Sequence, residues 1–275
     1  MTVPALPSLV GRVAVVTGGA SGIGRALALA LAREGADVAV ADVDEPGMAG
    51  TVAAITALGR SALAVRTDVA DRQAVLALAE QVVARFGGVH LLCNNAGVVV
   101  HGGLEHATHQ DWTWVMGVNL WGVIHGLEAF LPRMIAQAEG GHVVNVASAA
   151  GLVASQGLGV YNTSKYAVVG LSETLAKDLA AYGIGVSVVC PLGVRTRIRD
   201  AERNRPTELA NPPGTAAADA ITLIGRTLSP EAVASRVIAA IRTGALYVIT
   251  HEEILEPIRR RFARIESAVG QRPVV

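Results

Sequence analysis

Short apolar, β-branched runs and longer helical stretches alternate along the first two thirds of the chain. The runs lie at 12–17, 37–42, 62–66, 89–93, 142–147 and 185–190, and the helical stretches at 23–34, 45–58, 72–86, 110–137 and 160–182. Most of the short runs are continuously apolar rather than alternating, the pattern of strands covered on both faces. A β-α-β-α rhythm of such strands predicts an α/β fold of Rossmann type: a doubly wound, mostly parallel sheet with helices on both faces. After Pro191 the texture changes. Residues 195–205 carry five arginines, and Asn211-Pro212-Pro213-Gly214 interrupts any regular element. A helix restarts at Ser229-Pro230-Glu231, with Ser as N-cap and Pro in the first turn. A seventh strand at 246–250 and a basic tail helix around 259–264 follow. No internal repeat or low-complexity linker divides the chain, so a single domain over 1–275 is expected. Segment 195–228 is then a substrate loop or lid, and 251–275 a C-terminal tail helix.

The first strand runs into a helix through Thr17-Gly18-Gly19-Ala20-Ser21-Gly22-Ile23-Gly24. A tight strand-to-helix turn gathers backbone N–H groups and a helix N-terminus at one place, which attracts a pyrophosphate. Glycines let the backbone approach the phosphates closely. The Gly18, Gly22, Gly24 spacing departs from the usual dinucleotide fingerprint, so a plain glycine turn is the competing reading. The second strand ends at Asp42, 18 residues beyond Gly24, and the chain continues Val43-Asp44-Glu45 without a basic residue. A carboxylate there can accept a hydrogen bond from an adenosine 2′-hydroxyl and repels a 2′-phosphate, which favours NAD(H) over NADP(H). Asp42 as a strand end or helix cap is the alternative.

Composition narrows the classes. The 275 residues are 51% hydrophobic and 17% charged, enough to bury a sizeable core. The formal net charge is zero, which gives no support for nucleic-acid binding. No run of about 20 uninterrupted apolar residues is present, so no membrane span is expected. The first twelve residues lack a basic start followed by an apolar stretch, so no secretion signal is expected and the cytoplasm is the default location. Two cysteines, Cys93 and Cys190, form neither a disulfide framework nor a metal cluster. His101, His106 and His109 are close in sequence, but no Cys or carboxylate cluster completes a metal site, and none is expected.

Of 23 basic residues 21 are Arg, and one of the two lysines falls in Tyr161-Asn162-Thr163-Ser164-Lys165. On a helix, i and i+4 share a face, so phenol and ammonium would lie side by side. A neighbouring cation favours phenolate and lowers a tyrosine pKa from its free value of about 10. Lys165 is therefore expected to prime Tyr161 for proton transfer. An isolated Tyr-x-x-x-Lys is most simply an exposed helix face, and the scarcity of Lys also suits a GC-rich genome.

These features together resemble the short-chain dehydrogenase/reductase family in its single-domain form, from about residue 10 to residue 250. The run Thr17–Gly24 is similar to the family's TGxxxGIG loop. Asp68 resembles its acid after the third strand, and Asn94-Asn95-Ala96-Gly97 matches its NNAG motif. Asn119 fits the asparagine of the long helix that follows. Ser148 precedes Tyr161 by 13 residues, the family interval. Where the family has Pro-Gly-x-Val-x-Thr, this chain reads Pro191-Leu192-Gly193-Val194-Arg195-Thr196, which puts the shape of the nicotinamide wall in question.

The resemblance implies Asn119, Ser148, Tyr161 and Lys165 as catalytic residues. Asn119 would hold a water that links Lys165 to solvent. For the dinucleotide it implies contacts from Gly18, Ser21, Gly22, Ile23 and Gly24; from Asp42, Val43, Asp68 and Val69; from Asn95, Ala96 and Gly97; and from Tyr161, Lys165, Pro191, Gly193, Val194 and Thr196. With the family strand order, one strand separates Cys93 from Cys190, leaving two free thiols roughly 10 Å apart. The implied activity is NAD(H)-dependent interconversion of a secondary alcohol and a ketone. An NADPH-dependent carbonyl reductase and a non-catalytic dinucleotide-binding regulator are the rivals. Substrate walls are expected at 98–103, 149–158 and 192–228, and the first two are largely apolar, apart from His101, Ser155 and Gln156. They favour a small apolar substrate, although the arginines at 195, 197, 199, 203 and 205 leave an acidic group open. By resemblance the helices at 110–137 and 160–182 make subunit contacts, in a homodimer or homotetramer.

Overall fold

The computed structural model describes residues 4–212 and 225–269. Its centre is a seven-stranded sheet built from β1 (Val13–Thr17), β2 (Asp37–Asp42), β3 (Ala62–Arg66), β4 (Leu91–Asn94), β5 (Gly141–Val146), β6 (Ile184–Cys190) and a last strand, Tyr247–Ile249. The order is β3-β2-β1-β4-β5-β6 and then the last strand, and all six pairings are parallel. The order reverses between β1 and β4, and in sheets of this kind ligands bind above that reversal, at the carboxyl ends of the strands. Strands β1, β5 and β6 are buried along their whole length, which explains their unbroken apolar sequences.

Two cores sandwich the sheet. Alternate strand residues such as Ala14, Val16, Val38 and Val40 pack on one side against α1 (Gly22–Arg33), α2 (Glu45–Ala57) and a later helix, Pro230–Thr243. Val13, Val15, Ala39 and Val143 pack on the other against α3 (Arg72–Phe86) and the long helical run that follows β4. Local chemistry sets the helix ends. Asp44 accepts from the Gly47 N–H at 3.0 Å to cap α2, and Asp71 accepts from the Gln73 N–H at 2.8 Å to cap α3.

The helix expected at 110–137 is not continuous. It is α4 (His109–Met116), a π-turn over Gly117–Trp121 and α5 (Gly122–Gln137). The inserted turn shifts the register of everything beyond it, and such bulges recur at functional sites. By length and composition this run could cross a membrane. Its apolarity is explained by burial in the core: Trp114, Val115, Ala129, Phe130 and Met134 are all inside. Next come α6 (Gly159–Asp178) and a 3₁₀ turn at Ala180–Tyr182, where a single helix over 160–182 was expected.

The segment expected to be a loop from 195 to 228 has anchored ends. A two-residue strand β7 (Gly193–Val194) pairs in parallel with β8 (Thr227–Leu228), and the Arg195 N–H donates to the Leu228 carbonyl at 3.0 Å. Between them lie 3₁₀ turns at Ile198–Asn204 and Thr207–Leu209. The breaker residues Pro213 and Gly214, and the middle of the expected lid, lie outside the described residues. Helix α7 (Pro230–Thr243), capped by Ser229, leads to β9 (Tyr247–Ile249) and then α8 (Leu255–Val269). The end of the expected tail, 270–275, also lies outside the described residues. Cys93 and Cys190 are buried and free, on strands separated by β5.

Candidate active site

A cavity of about 470 Å³ opens above the reversal in strand order, walled by the loops after β1, β2, β3, β4, β5 and β6. Its floor is the glycine turn. Gly18 has φ +65°, and a Cβ there would lie 2.8 Å from the Ala96 Cα, so the turn and the loop after β4 touch backbone to backbone. Thr17 and Asn95 lock this contact. The Thr17 hydroxyl accepts from the Asn95 and Ala96 N–H groups at 3.0 and 3.1 Å. The Asn95 amide donates to the carbonyls of Thr17 and Gly18 at 2.9 and 3.2 Å. The turn therefore cannot adjust without the β4 loop. Gly22 has φ +53°, and a Cβ there would meet the Thr196 side chain at 3.1 Å. Gly18, Ser21, Gly22 and Ile23 all line the cavity, whereas Gly24 does not. A Cβ on Gly24 would come within 2.1 Å of the Gly18 carbonyl oxygen, so its role is to let α1 pack under the turn.

Asp42 lines the cavity with both oxygens tied to backbone. Oδ2 accepts from the Ala20 N–H at 3.0 Å, and Oδ1 from the N–H groups of Val43 and Asp44 at 2.8 and 3.1 Å. A carboxylate has about four acceptor positions, so one remains, on Oδ2. The neighbouring helix is capped by Asp44, not Asp42. Val43, Asp68, Val69, Asn95, Ala96, Gly97, Pro191, Gly193, Val194 and Thr196 line the same cavity. Leu192, where the family pattern has glycine, is also in the wall. The position that excludes a side chain is Gly193, where a Cβ would meet the Arg226 carbonyl at 3.0 Å in the short β7–β8 pairing.

At the centre stand Ser148, Tyr161 and Lys165, all in the cavity wall. Ser148 follows β5, and its hydroxyl hydrogen-bonds the Tyr161 phenol. Tyr161 and Lys165 are one turn apart on α6, with the ammonium 5.6 Å from the phenol ring centroid. Lys165 is buried and donates to the Val146 carbonyl at 2.9 Å. Burial pushes the Tyr161 pKa up to about 12, against the opposing hydrogen bond from Ser148. Burial pulls Lys165 down to about 8. The expectation that Lys165 lowers the phenol pKa is not met in this state. The ammonium donates to the β5 carbonyl of Val146, and what acts on the phenol is its own desolvation, opposed by the Ser148 hydrogen bond. Cys190 lies beneath, accepting from the Ser148 N–H, and burial pushes its thiol up to about 12.

Asn119 sits in the π-turn, fully buried and outside the cavity wall. It accepts from the Val98 N–H at 2.8 Å, donates to the Val98 carbonyl at 2.9 Å and donates to Ser164 Oγ at 3.0 Å. It therefore braces the β4 loop against α6. A Cβ on Gly97 would lie 3.4 Å from Asn119 Oδ1 and 3.5 Å from Lys165 Nζ, so that glycine keeps the approach to the ammonium open.

The substrate walls differ from expectation. Val98 represents the first expected segment, and 149–158 contributes nothing. Trp114 and Val118, from α4 and the π-turn, take their place. Arg205 is not available to a ligand. It is ion-paired with Asp111 at 2.7 Å, with both side chains nearly buried, also pairs with Glu202, and lies 4.3 Å over the Trp114 ring. Thr17 and Trp114 were not singled out from the sequence. Thr17 opens the glycine motif and could have been, while Trp114 enters only through helix packing.

Fold and cavity together define a dinucleotide-cradling α/β protein with a Ser–Tyr–Lys constellation. The short chain dehydrogenase profile matches residues 12–207, and the chain belongs to the short-chain dehydrogenase/reductase family of oxidoreductases. It is 44% identical over 195 residues to a putative oxidoreductase, SadH, of Mycobacterium tuberculosis, covering 70% of each chain. It is 37% identical over 266 residues to the C alpha-dehydrogenase of Sphingobium sp. strain SYK-6, covering 94% of this chain and 87% of that one. Among solved structures, a short chain dehydrogenase/reductase from Burkholderia phymatum in complex with NAD superposes with a TM-score of 0.88. It is 41% identical and covers 98% of this chain and 99% of that one.

Proposed function

We propose that this protein is an NAD(H)-dependent oxidoreductase that interconverts a secondary alcohol and a ketone, with Tyr161 as general acid/base. The observation that carries the reading is the convergence of Ser148, Tyr161 and Lys165 on the cavity that also holds the glycine turn and Asp42. The glycine turn suits a pyrophosphate: Gly18, Ser21, Gly22 and Ile23 bring the turn and the N-terminus of α1 to the cavity wall. The remaining acceptor position on Asp42 suits a 2′-hydroxyl. Arg66, on the adjacent strand, is ion-paired with Glu45 at 3.4 Å rather than left to meet a 2′-phosphate. NAD bound to the Burkholderia phymatum relative supports the same choice.

When bound, the dinucleotide supplies the acceptor or donor of a hydride and, in its oxidised form, a positive charge. The protein handles the proton. In the reductive direction the Tyr161 phenol, protonated at neutral pH, donates to the carbonyl oxygen. In the oxidative direction it must first lose that proton and then accepts the alcohol's. Ser148 Oγ, which also lies 3.4 Å from the Pro191 carbonyl, steadies the substrate oxygen by hydrogen bonding. Lys165 keeps a positive charge behind the phenol.

Replacing Tyr161 by Phe should lower turnover by about 10²–10⁴-fold while leaving NADH binding nearly intact. Absorbance of the reduced nicotinamide over a panel of secondary alcohols, with NAD and NADP compared, reads both. Near-normal turnover by the Tyr161→Phe protein would remove the phenol from the mechanism.

A further inference from the structure

The cavity is charged asymmetrically. Asp42, Asp44 and Asp68 line the side above β2 and β3, whereas Arg195, Arg197, Arg199 and Arg203 line the side beyond β6. No acid from that arginine-rich segment lines the cavity, and the Glu202 carboxylate is taken by Arg205 at 2.7 and 2.8 Å. Among the described residues, the guanidinium groups of Arg195, Arg197 and Arg199 have no carboxylate or hydrogen-bond partner. Arg203 donates to the carbonyls of Arg197 and Asp200 at 2.9 and 2.7 Å, which fixes one side of its fork. A guanidinium has five donors, so the rest remain available. His101, on the loop after β4, has both ring nitrogens buried and unpartnered, but it does not line the cavity. All four arginines are exposed, so water can satisfy their donors. What points to a ligand is the row of like charges along one wall of the cavity, which favours an anion. Apolar Trp114, Val118, Leu192, Ile198 and Ala201 share the wall, together with Asn204 and Thr227.

We infer that the arginine-lined end is an oxyanion subsite, so that the substrate is an amphiphile with its reacting carbon at Tyr161, an apolar body against Trp114 and Ala201, and a carboxylate or phosphate at Arg199 and Arg203. This rests on the proposed alcohol–ketone chemistry for the location of the reacting carbon, but the subsite itself does not. Arg195 and Arg197 flank Thr196, which faces Gly22, so those two cations also lie within reach of a pyrophosphate. Arg199 and Arg203 are the pair that separates the two roles.

The test is binding, which needs no turnover. Decanoate, decyl phosphate and uncharged decanamide are titrated calorimetrically into the full chain saturated with NAD. Decanoate or decyl phosphate should bind about tenfold more tightly than decanamide, the effect of two or three partly screened charge pairs. The difference should shrink as salt is raised. The better of the two anions identifies the oxyanion. In the Arg199→Gln/Arg203→Gln protein the preference should vanish, while decanamide and NAD affinities stay unchanged. Equal binding of anions and amide overturns the inference, and so does a double variant that keeps the preference. A double variant that loses NAD affinity alone would assign these arginines to the dinucleotide and overturn it too. If the anion preference holds but no alcohol is oxidised, the subsite stands and the tyrosine mechanism fails. If neutral alcohols are oxidised without any anion preference, the reverse follows.

Discussion

Lys165 carries a charge that is nearly cut off from water, which makes it the residue most open to test. It is 3% accessible, and burial pulls its pKa from 10.5 to about 8. The unfolded lysine holds its proton to about 10.5, whereas the folded one releases it near 8. Between those values unfolding takes up a proton, so this group's contribution to stability rises with pH. Below pH 8 the buried charge costs about 3 kcal/mol at 1.36 kcal/mol per unit. Lys165→Met should therefore resist urea better than the wild type at pH 7, with the gap closing toward pH 10. A gap independent of pH would contradict this account. Tyr161 titrates in the opposite sense for activity. With its pKa raised, alcohol oxidation should quicken as pH rises above neutral, and a flat profile would show that the proton is not held there. The pair itself was legible in the sequence because i and i+4 share a helix face whatever the fold. The sign of the phenol's shift was not, because it depends on how deeply the rest of the molecule buries it.

The excursion after β7 owes its position to a few polar contacts on α4. Asp111 closes a capping box with Thr108, accepts from Arg205 at 2.7 Å and from Asn211 Nδ2 at 3.1 Å, and Thr108 Oγ1 donates to Asn211 at 2.6 Å. Burial alone would raise the Asp111 pKa, but the Thr108 N–H, Arg205 and Asn211 together hold it below the usual carboxylate range. Removing one member of a buried pair leaves the other unpaired. Asp111→Ala should lower stability by about 3 kcal/mol and make 198–211 cleavable by trypsin under native conditions. It should raise the KM for the alcohol more than that for NAD. Equal changes in both KM values would show that the clamp does not act on the substrate side. From sequence the segment was recognisable as an excursion by its arginines and prolines. Its anchor was not, because Asp111 and Arg205 are far apart in the chain and each has the signature of a solvated charge. The π-turn that carries Asn119 was hidden for a related reason: an apolar run of that length has the same pattern whether or not one extra residue is inserted.

At the scale of the molecule, the parallel sheet and its two helical layers could be read from the sequence because continuous apolar strands admit few other arrangements. The β7–β8 ribbon could not, since two residues per strand carry no period. Trp121 and Tyr182 are half exposed near the helices that the family resemblance places at subunit contacts, and Phe262 and Ile265 are half exposed on α8. Light scattering should give the mass of two or four chains, with Trp121→Glu weakening assembly by about tenfold or more. A monomeric wild type at micromolar concentration would refute that arrangement.

The ribbon between Gly193–Val194 and Thr227–Leu228 has an evolutionary corollary. Because both ends of the excursion leave the body through one doorway, the stretch between them can be swapped, lengthened or trimmed without re-threading any strand of the main sheet. The entropy of closing a longer loop grows only slowly. A transplant of that stretch from a relative should carry the donor's substrate preference into this chain while the proton relay below it goes on working.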